Sequence, residues 1–210
     1  MNLLKRARGL SSWSRAGEIR ALPKNRVFSI RESRNPIADV VVALALRVLE
    51  RRNQEFVGYA ELSRLLCIST SETYKSTRRL ILSRLVIFDT VKPILGPLYD
   101  YVVYGVPHAF PGNFGGPSRG IATAWAAEPL VKTFPQGNDL PPVWPWAEGN
   151  VRGFVVEPLH PKVPQAVRNL PELYEFLALV DALRVGRARD REMARKRLKE
   201  LLSHDTPVAV

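Results

Sequence analysis

The stretch YAELSRLLCISTSETYKSTRRL, residues 59–80, decides the fold that the sequence predicts. Leucines at helical spacing indicate a helix from Tyr59 to Leu66. The pattern S-x-x-E at Ser69 and Glu72 is typical of the start of a further helix, with the cap at Ser69 or at one of the next two residues. Ile68 is apolar and can fill the angle where the two helices meet. The stretch therefore predicts a helix, a tight turn and a second helix.

The second of these helices, expected at about residues 70–84, separates into two faces. Small or apolar side chains at i, i+3, i+4 and i+7 should pack inward, and these are Thr73, Ser76, Thr77 and Leu80. The opposite face carries hydroxyl and cationic groups, which are the groups that bind base edges and phosphates. The helix therefore has the division of faces that entry into a DNA groove requires.

The candidate DNA-binding residues follow from their order along this helix. A recognition helix in the major groove brings its N-terminal end closest to the bases. The expected near-base contacts are Ser71, Tyr74 and Lys75, with Ser69 beside them at the helix start. The expected phosphate contacts are Arg78 and Arg79.

This pair of helices resembles that of bacterial winged helix-turn-helix transcriptional regulators of the MarR-like type. The matching residues are Ala60 and Leu62 in the first helix, Ser69 at the start of the second, and Arg79 and Leu80 near its end. The resemblance covers roughly residues 36–104 and implies a winged helix-turn-helix that binds double-stranded DNA. Cys67 and Arg84 stand at two positions where this family often has glycine.

The elements on either side complete the predicted domain, residues 35–106. Apolar residues at helical spacing predict a first helix from Pro36 to about Arg52. Strands are predicted at Val86–Phe88 and Tyr99–Val106, separated by a turn that contains two prolines and a glycine. The resemblance implies a hairpin wing at Phe88–Tyr101, in which Lys92 would contact a phosphate or the minor groove.

The charge is concentrated at the N-terminus. The chain has a formal net charge of +11, and residues 1–34 hold nine basic and two acidic residues. Such a segment would attract a polyanion by releasing its counterions, although a solvated basic tail has the same composition. We therefore treat residues 1–34 as a basic arm that could order on DNA or on a partner.

The rest of the chain has two parts. Residues 107–170 are rich in proline and glycine but keep aromatic residues such as Trp144 and Trp146, which favours an ordered irregular layer over a linker. The segment Gly112–Gly120 is interpreted as a flexible turn, and the alternative is that its Asn113, Ser118 and Arg119 bind a ligand or a partner. Residues 171–210 return to helix, with a break expected at Gly186. The fold class is thus α+β: a winged helix-turn-helix, an irregular extension and C-terminal helices.

Several function classes find no support in the sequence. One cysteine and three widely spaced histidines give no metal-ligand spacing, and no motif of an activated nucleophile, paired carboxylate or cofactor loop is present. No apolar run approaches the length of a membrane span. We therefore expect no enzyme activity, metal, cofactor or membrane, and a cytoplasmic location.

The function expected from these features is a sequence-specific double-stranded DNA-binding transcriptional regulator. Homodimerisation through Glu172–Leu202 is expected, because the leucine stripe there requires a packing partner. The alternative is a protein-interaction module, including an antitoxin-like protein that binds a protein partner through the extension and the C-terminal helices.

Overall fold

The computed structural model describes residues 36–134 and 139–203, which fall within one compact unit. In chain order its elements are α1 (Ile37–Arg51), α2 (Tyr59–Leu66), α3 (Thr70–Leu82), α4 (Leu95–Asp100), a π-helical turn (Tyr101–Gly105), α5 (Val106–Ala109), β1 (Phe114–Ala122), a 3-10 turn (Ala124–Ala126), β2 (Pro142–Pro145), β3 (Val151–Val156), α6 (Val163–Asn169), α7 (Glu172–Val185) and α8 (Ala188–Leu202). The α+β class is confirmed. The arm predicted at residues 1–34 lies outside the described residues.

Helix α1 is enclosed by the rest of the fold. Every side chain from Ala38 to Leu49 is buried, because α2 and α3 pack against one side of the helix and α7 packs against another.

The predicted bounds of the first three helices agree with the structure to within about two residues. The predicted domain boundaries at residues 106 and 170 both lie inside the single compact unit.

The predicted strand at Tyr99–Val106 is wrong, because these residues are helical. Valines and tyrosines favour a strand locally, but Leu95, Leu98, Val102 and Val106 recur at spacings of three and four and are all buried. The strand predicted at Val86–Phe88 is also wrong, because only Val86 forms a bridge, and the hairpin implied at Phe88–Tyr101 is therefore replaced by a shorter turn. That turn has one bridge, Val86 to Pro93, and a hydrogen bond of 2.8 Å from the Ile87 amide to the Lys92 carbonyl.

A small three-stranded sheet forms within the proline- and glycine-rich extension. Strand β1 is antiparallel to both β2 and β3, which are parallel to each other, so each strand pairs with the other two. The flexible turn expected at Gly112–Gly120 is wrong, because β1 begins at Phe114. Glycine is required there by close approach: a Cβ on Gly120 would lie 2.0 Å from the Trp144 carbonyl oxygen.

Helix α7 is the centre of the core. Its side chains from Phe176 to Arg184 are all buried, against α1, α5, the 3-10 turn and α8. The leucine stripe that was expected to need a second copy is thus covered by its own chain, and the stripe gives no reason for dimerisation. The break expected at Gly186 is confirmed, since α7 ends at Val185.

A buried polar cluster ties the extension to α7. Asp181, 1% exposed, accepts hydrogen bonds from the Thr123 hydroxyl at 2.8 Å and from the Trp144 indole at 2.5 Å. Arg184 pairs with the same carboxylate at 2.6 Å and donates to the Phe110 carbonyl at 2.8 Å. Burial raises the pKa of Asp181, and its charge is compensated by these donors. Trp144 therefore packs the extension onto the core.

Candidate nucleic-acid interface

Helices α2 and α3 meet through the turn Cys67–Ser69. Cys67 adopts a left-handed conformation with φ of 54°, which ends α2, and Ile68 is buried beneath the turn. The Ser69 hydroxyl accepts a hydrogen bond of 3.2 Å from the Glu72 amide. Ser69, rather than either residue after it, is therefore the cap that starts α3. Local signals in the sequence placed this turn correctly.

The two faces of α3 are as the sequence predicts. The inner face is buried and comprises Thr73, Ser76, Thr77 and Leu80. Three of the expected near-base residues, Ser71, Tyr74 and Lys75, are exposed together on the outer face, and Ser69 is exposed at its start. Arg78 is half-buried on the same helix. Lys92 is exposed in the short turn after α3.

Arg79 has a different environment from its neighbours. Its guanidinium binds both carboxylate oxygens of Asp39 on α1, and it also binds Glu72 at 3.0 Å and the Ser76 hydroxyl at 2.9 Å. The Arg79 side chain is 21% exposed. Burial raises the pKa of Asp39, while the hydrogen bonds and charge of Arg79 oppose that rise. Arg79 therefore fixes α3 to α1, and we leave it out of the candidate interface.

An aromatic chain supports the outer face of α3. The ring of Tyr74 meets that of Tyr59 edge-on, with centroids 5.2 Å apart, and Tyr59 meets Phe56 in the same way at 5.0 Å. Tyr74 remains 44% exposed. These contacts limit the orientations that the Tyr74 ring can take and leave its outer side accessible. Sequence reasoning missed this support, because the three aromatic residues belong to different segments.

Helix α6 contacts the turn between α2 and α3. The Asn169 side-chain amide donates to the carbonyl oxygens of Arg64 and Leu65, at 3.3 and 3.1 Å. These carbonyls lie at the C-terminal end of α2, where a helix leaves acceptors without partners. Asn169 therefore satisfies them and places the extension beside the candidate interface. No sequence signal marked this contact, which joins residues more than a hundred positions apart.

Positive charge predominates on the outer face of α3. Lys75 and Arg78 supply positive charge on α3, whereas the acidic group of the same helix, Glu72, is turned toward Arg79.

Across the two described stretches of chain, no group of three or more His, Cys, Asp or Glu side chains could hold a metal ion. Among the helices of those stretches, none has the length and hydropathy needed to cross a bilayer.

Comparison with known proteins gives no relative. No family model matches the chain, and no curated protein or solved structure matches it either.

Proposed function

We propose that this protein binds double-stranded DNA by inserting α3 into the major groove. The observation that carries the proposal is the joint exposure of Ser71, Tyr74 and Lys75 on a helix whose opposite face is buried. A helix of 13 residues is about 20 Å long, and the major groove, about 12 Å wide, accepts such a helix. The hydroxyls and the ammonium group would reach base edges, while Arg78 would bind a phosphate.

The helices before α3 support this docking. Helix α2 packs against α3, and residues Thr70 and Ser71 in the first turn of α3, after the cap at Ser69, are exposed. The turn Val86–Pro93, with Lys92 exposed, would act as a reduced wing against the adjacent backbone. We keep the MarR-like winged helix as part of the proposal on this basis.

The positive charge of the chain also favours binding to DNA. The net charge of +11, with most of the excess in residues 1–34, would raise affinity for DNA through counterion release. A sequence-specific regulator in the cytoplasm of a bacterium is the role that combines this charge with a base-contacting helix.

The test is a binding titration on fragments selected from genomic DNA, with the double variant Lys75→Ala/Arg78→Ala. Loss of two phosphate or base contacts should weaken binding at least about tenfold and reduce the dependence of log K on log salt by up to about two. Lys196→Ala/Lys199→Ala, which removes the same charge from exposed positions on α8, is the matched control and should bind normally. Equal affinity and salt dependence in the first variant and wild type would overturn the proposal.

A second candidate function is favoured by exposed apolar side chains at the C-terminal end of α3 and just after it. Leu82, Ile87 and Phe88 are 62%, 44% and 53% exposed. Large exposed apolar groups that lie close together in the chain are typical of a protein-binding surface, as an antitoxin-like protein would have. The variant Leu82→Ser/Phe88→Ser should lose a co-purifying protein and keep its affinity for DNA. If the protein purifies alone from its native source, this second function is excluded.

A further inference from the structure

The small sheet has an unusual charge distribution. Its three strands contain two charged residues, Arg119 on β1 and Arg152 on β3. The two arginines are directly opposite each other in the antiparallel register. Residues opposite each other share a face of the sheet and have Cβ atoms about 4.5–5.5 Å apart. Both side chains are exposed, so two positively charged side chains project from one surface of the sheet.

This placement is unfavourable for the isolated fold. Like charges directly opposite in a strand pair destabilise it. Several other arginines of the fold have acidic partners, such as Arg52 with Glu172 and Arg197 with Glu175, whereas others, such as Arg84, are exposed without one among the described residues. Among residues 36–134 and 139–203, neither Arg119 nor Arg152 forms a salt bridge. The repulsion is therefore not offset by a carboxylate in the described part of the chain, and an external anion would offset it.

A continuous series of contacts joins this pair to the turn before α3. The Trp146 amide donates to the Arg119 carbonyl at 3.1 Å, and the Arg168 guanidinium lies 5.9 Å from the Trp146 ring centroid. Arg168 immediately precedes Asn169, whose amide binds the C-terminal carbonyls of α2. The sheet and the helix-turn-helix are thus linked through α6, where Arg168 forms a salt bridge of 3.0 Å with Glu148.

We propose that Arg119 and Arg152 form a second phosphate-binding surface for the duplex that α3 reads. The inference rests on the proposed function and extends it, because the sheet would contact backbone beyond the part of the groove that α3 occupies. The pair lies on an exposed sheet face, not in a closed pocket, so it fits an extended polyanion better than a small free anion. The phosphates along one DNA strand are regularly spaced, so each guanidinium could bind the oxygens of a different phosphate.

The experiment compares duplexes of two lengths. A duplex of about one helical turn, roughly 10 bp, would occupy α3 alone, whereas one of about twice that length would also reach the sheet. We expect Arg119→Ala/Arg152→Ala to bind the long duplex about tenfold or more weakly, with the salt slope lower by about two. The same variant should bind the short duplex as wild type does.

Two controls separate charge from structure. Arg119→Lys/Arg152→Lys keeps both charges and should retain most of the affinity for the long duplex. Arg119→Ala/Arg152→Ala should be no less stable than wild type in urea, because it relieves the repulsion, so reduced binding would not reflect unfolding. Lys196→Ala/Lys199→Ala removes two positive charges from α8, so it measures how much the affinity falls through loss of net charge alone.

The outcomes also separate the two proposals. If wild type binds neither duplex, the proposed function fails. If Lys75→Ala/Arg78→Ala abolishes binding while Arg119→Ala/Arg152→Ala leaves the long duplex unaffected, α3 binds DNA and the sheet does not. An equal loss on both duplexes would likewise overturn the sheet proposal, since it would show a general charge effect.

Discussion

Arg79 of α3 binds the carboxylate of Asp39 on α1, with Nε 2.8 Å from one carboxylate oxygen. The two residues are forty positions apart, and their side chains are 21% and 11% exposed. The pair fixes the angle between α1 and the helix that we propose enters DNA. Arg79, one of the cations on α3, is therefore engaged in an ion pair within the protein.

Replacing Asp39 with Asn should destabilise the protein. The change leaves the half-buried guanidinium of Arg79 with less compensating charge, and we expect a loss of about 2–3 kcal/mol in the free energy of unfolding. Glu61→Gln is the matched control, because Glu61 forms a similar two-pronged pair with Arg64 that is exposed. The control should change the urea midpoint little. Equal shifts in the two variants would show that burial of the Asp39 pair has no energetic effect.

Replacing Gly153 with Ala should disrupt the small sheet. A Cβ at this position would lie 2.0 Å from the Pro141 carbonyl oxygen and 2.6 Å from Val143 Cγ1, so backbone would have to move. Overpacking of this kind costs about 1–3 kcal/mol, measured by urea or thermal unfolding. Gly116→Ala on β1 is the control, since no heavy atom lies within 4 Å of the added carbon. A Gly153→Ala protein as stable as Gly116→Ala would contradict the close approach of the strands.

Replacing Arg84 with Gly should give a more stable protein than replacing it with Ala. Its φ of 56° lies in the left-handed region, where a Cβ is unfavourable, so Arg84→Gly should exceed Arg84→Ala in stability by about 1 kcal/mol. The neighbouring Ser83 has φ of −81°, and there the order should reverse. Chemical denaturation of the four variants decides the question. The same order at both positions would mean that backbone conformation is not the cause.

Acidification should weaken the fold through His160. Burial lowers the pKa of His160 below its ordinary value of 6.5, despite the nearby charge of Glu72. Because the unfolded chain then binds a proton more readily, stability is retained above 6.5 and falls as the pH drops below it. The proton would also occupy Nδ1, which accepts a hydrogen bond of 3.1 Å from the Lys162 amide.

The corresponding measurement is the urea midpoint of wild type and of His160→Asn between neutral pH and about pH 5. Wild type should lose more stability over this interval than the variant, whose side-chain oxygen can still accept from the Lys162 amide. Parallel curves for the two proteins would assign the pH dependence to other groups.

The helix-turn-helix could be predicted from sequence because its signals are local. The cap at Ser69, the buried spacing of Thr73 and Leu80, and the apolar Ile68 each act within one or two helical turns. Exposure of Tyr74 and Lys75 follows from the same periodicity. Cys67 and Arg84 both have a left-handed backbone, with φ of 54° and 56°.

The remaining features depend on contacts between distant parts of the chain. The pairing of Arg79 with Asp39 and the contact of Asn169 with α2 leave no local pattern. The sheet could not be predicted because glycine in a sequence usually indicates a turn. In this sheet, Gly120 and Gly153 instead allow neighbouring backbone to approach closely. At Tyr99–Val106, strand propensity competed with helical burial, and burial prevailed.

The enclosure of α1 has a practical consequence for anyone who wishes to isolate the helices α1 to α3. A fragment ending at Ala109 would remove α7 and bare the apolar side of α1 that α7 covers, together with Arg52, which pairs with Glu172. Such a fragment would bury too little apolar surface and would tend to aggregate. Reporter fusions, domain exchanges and spectroscopic samples should therefore retain residues 36–203 as one piece.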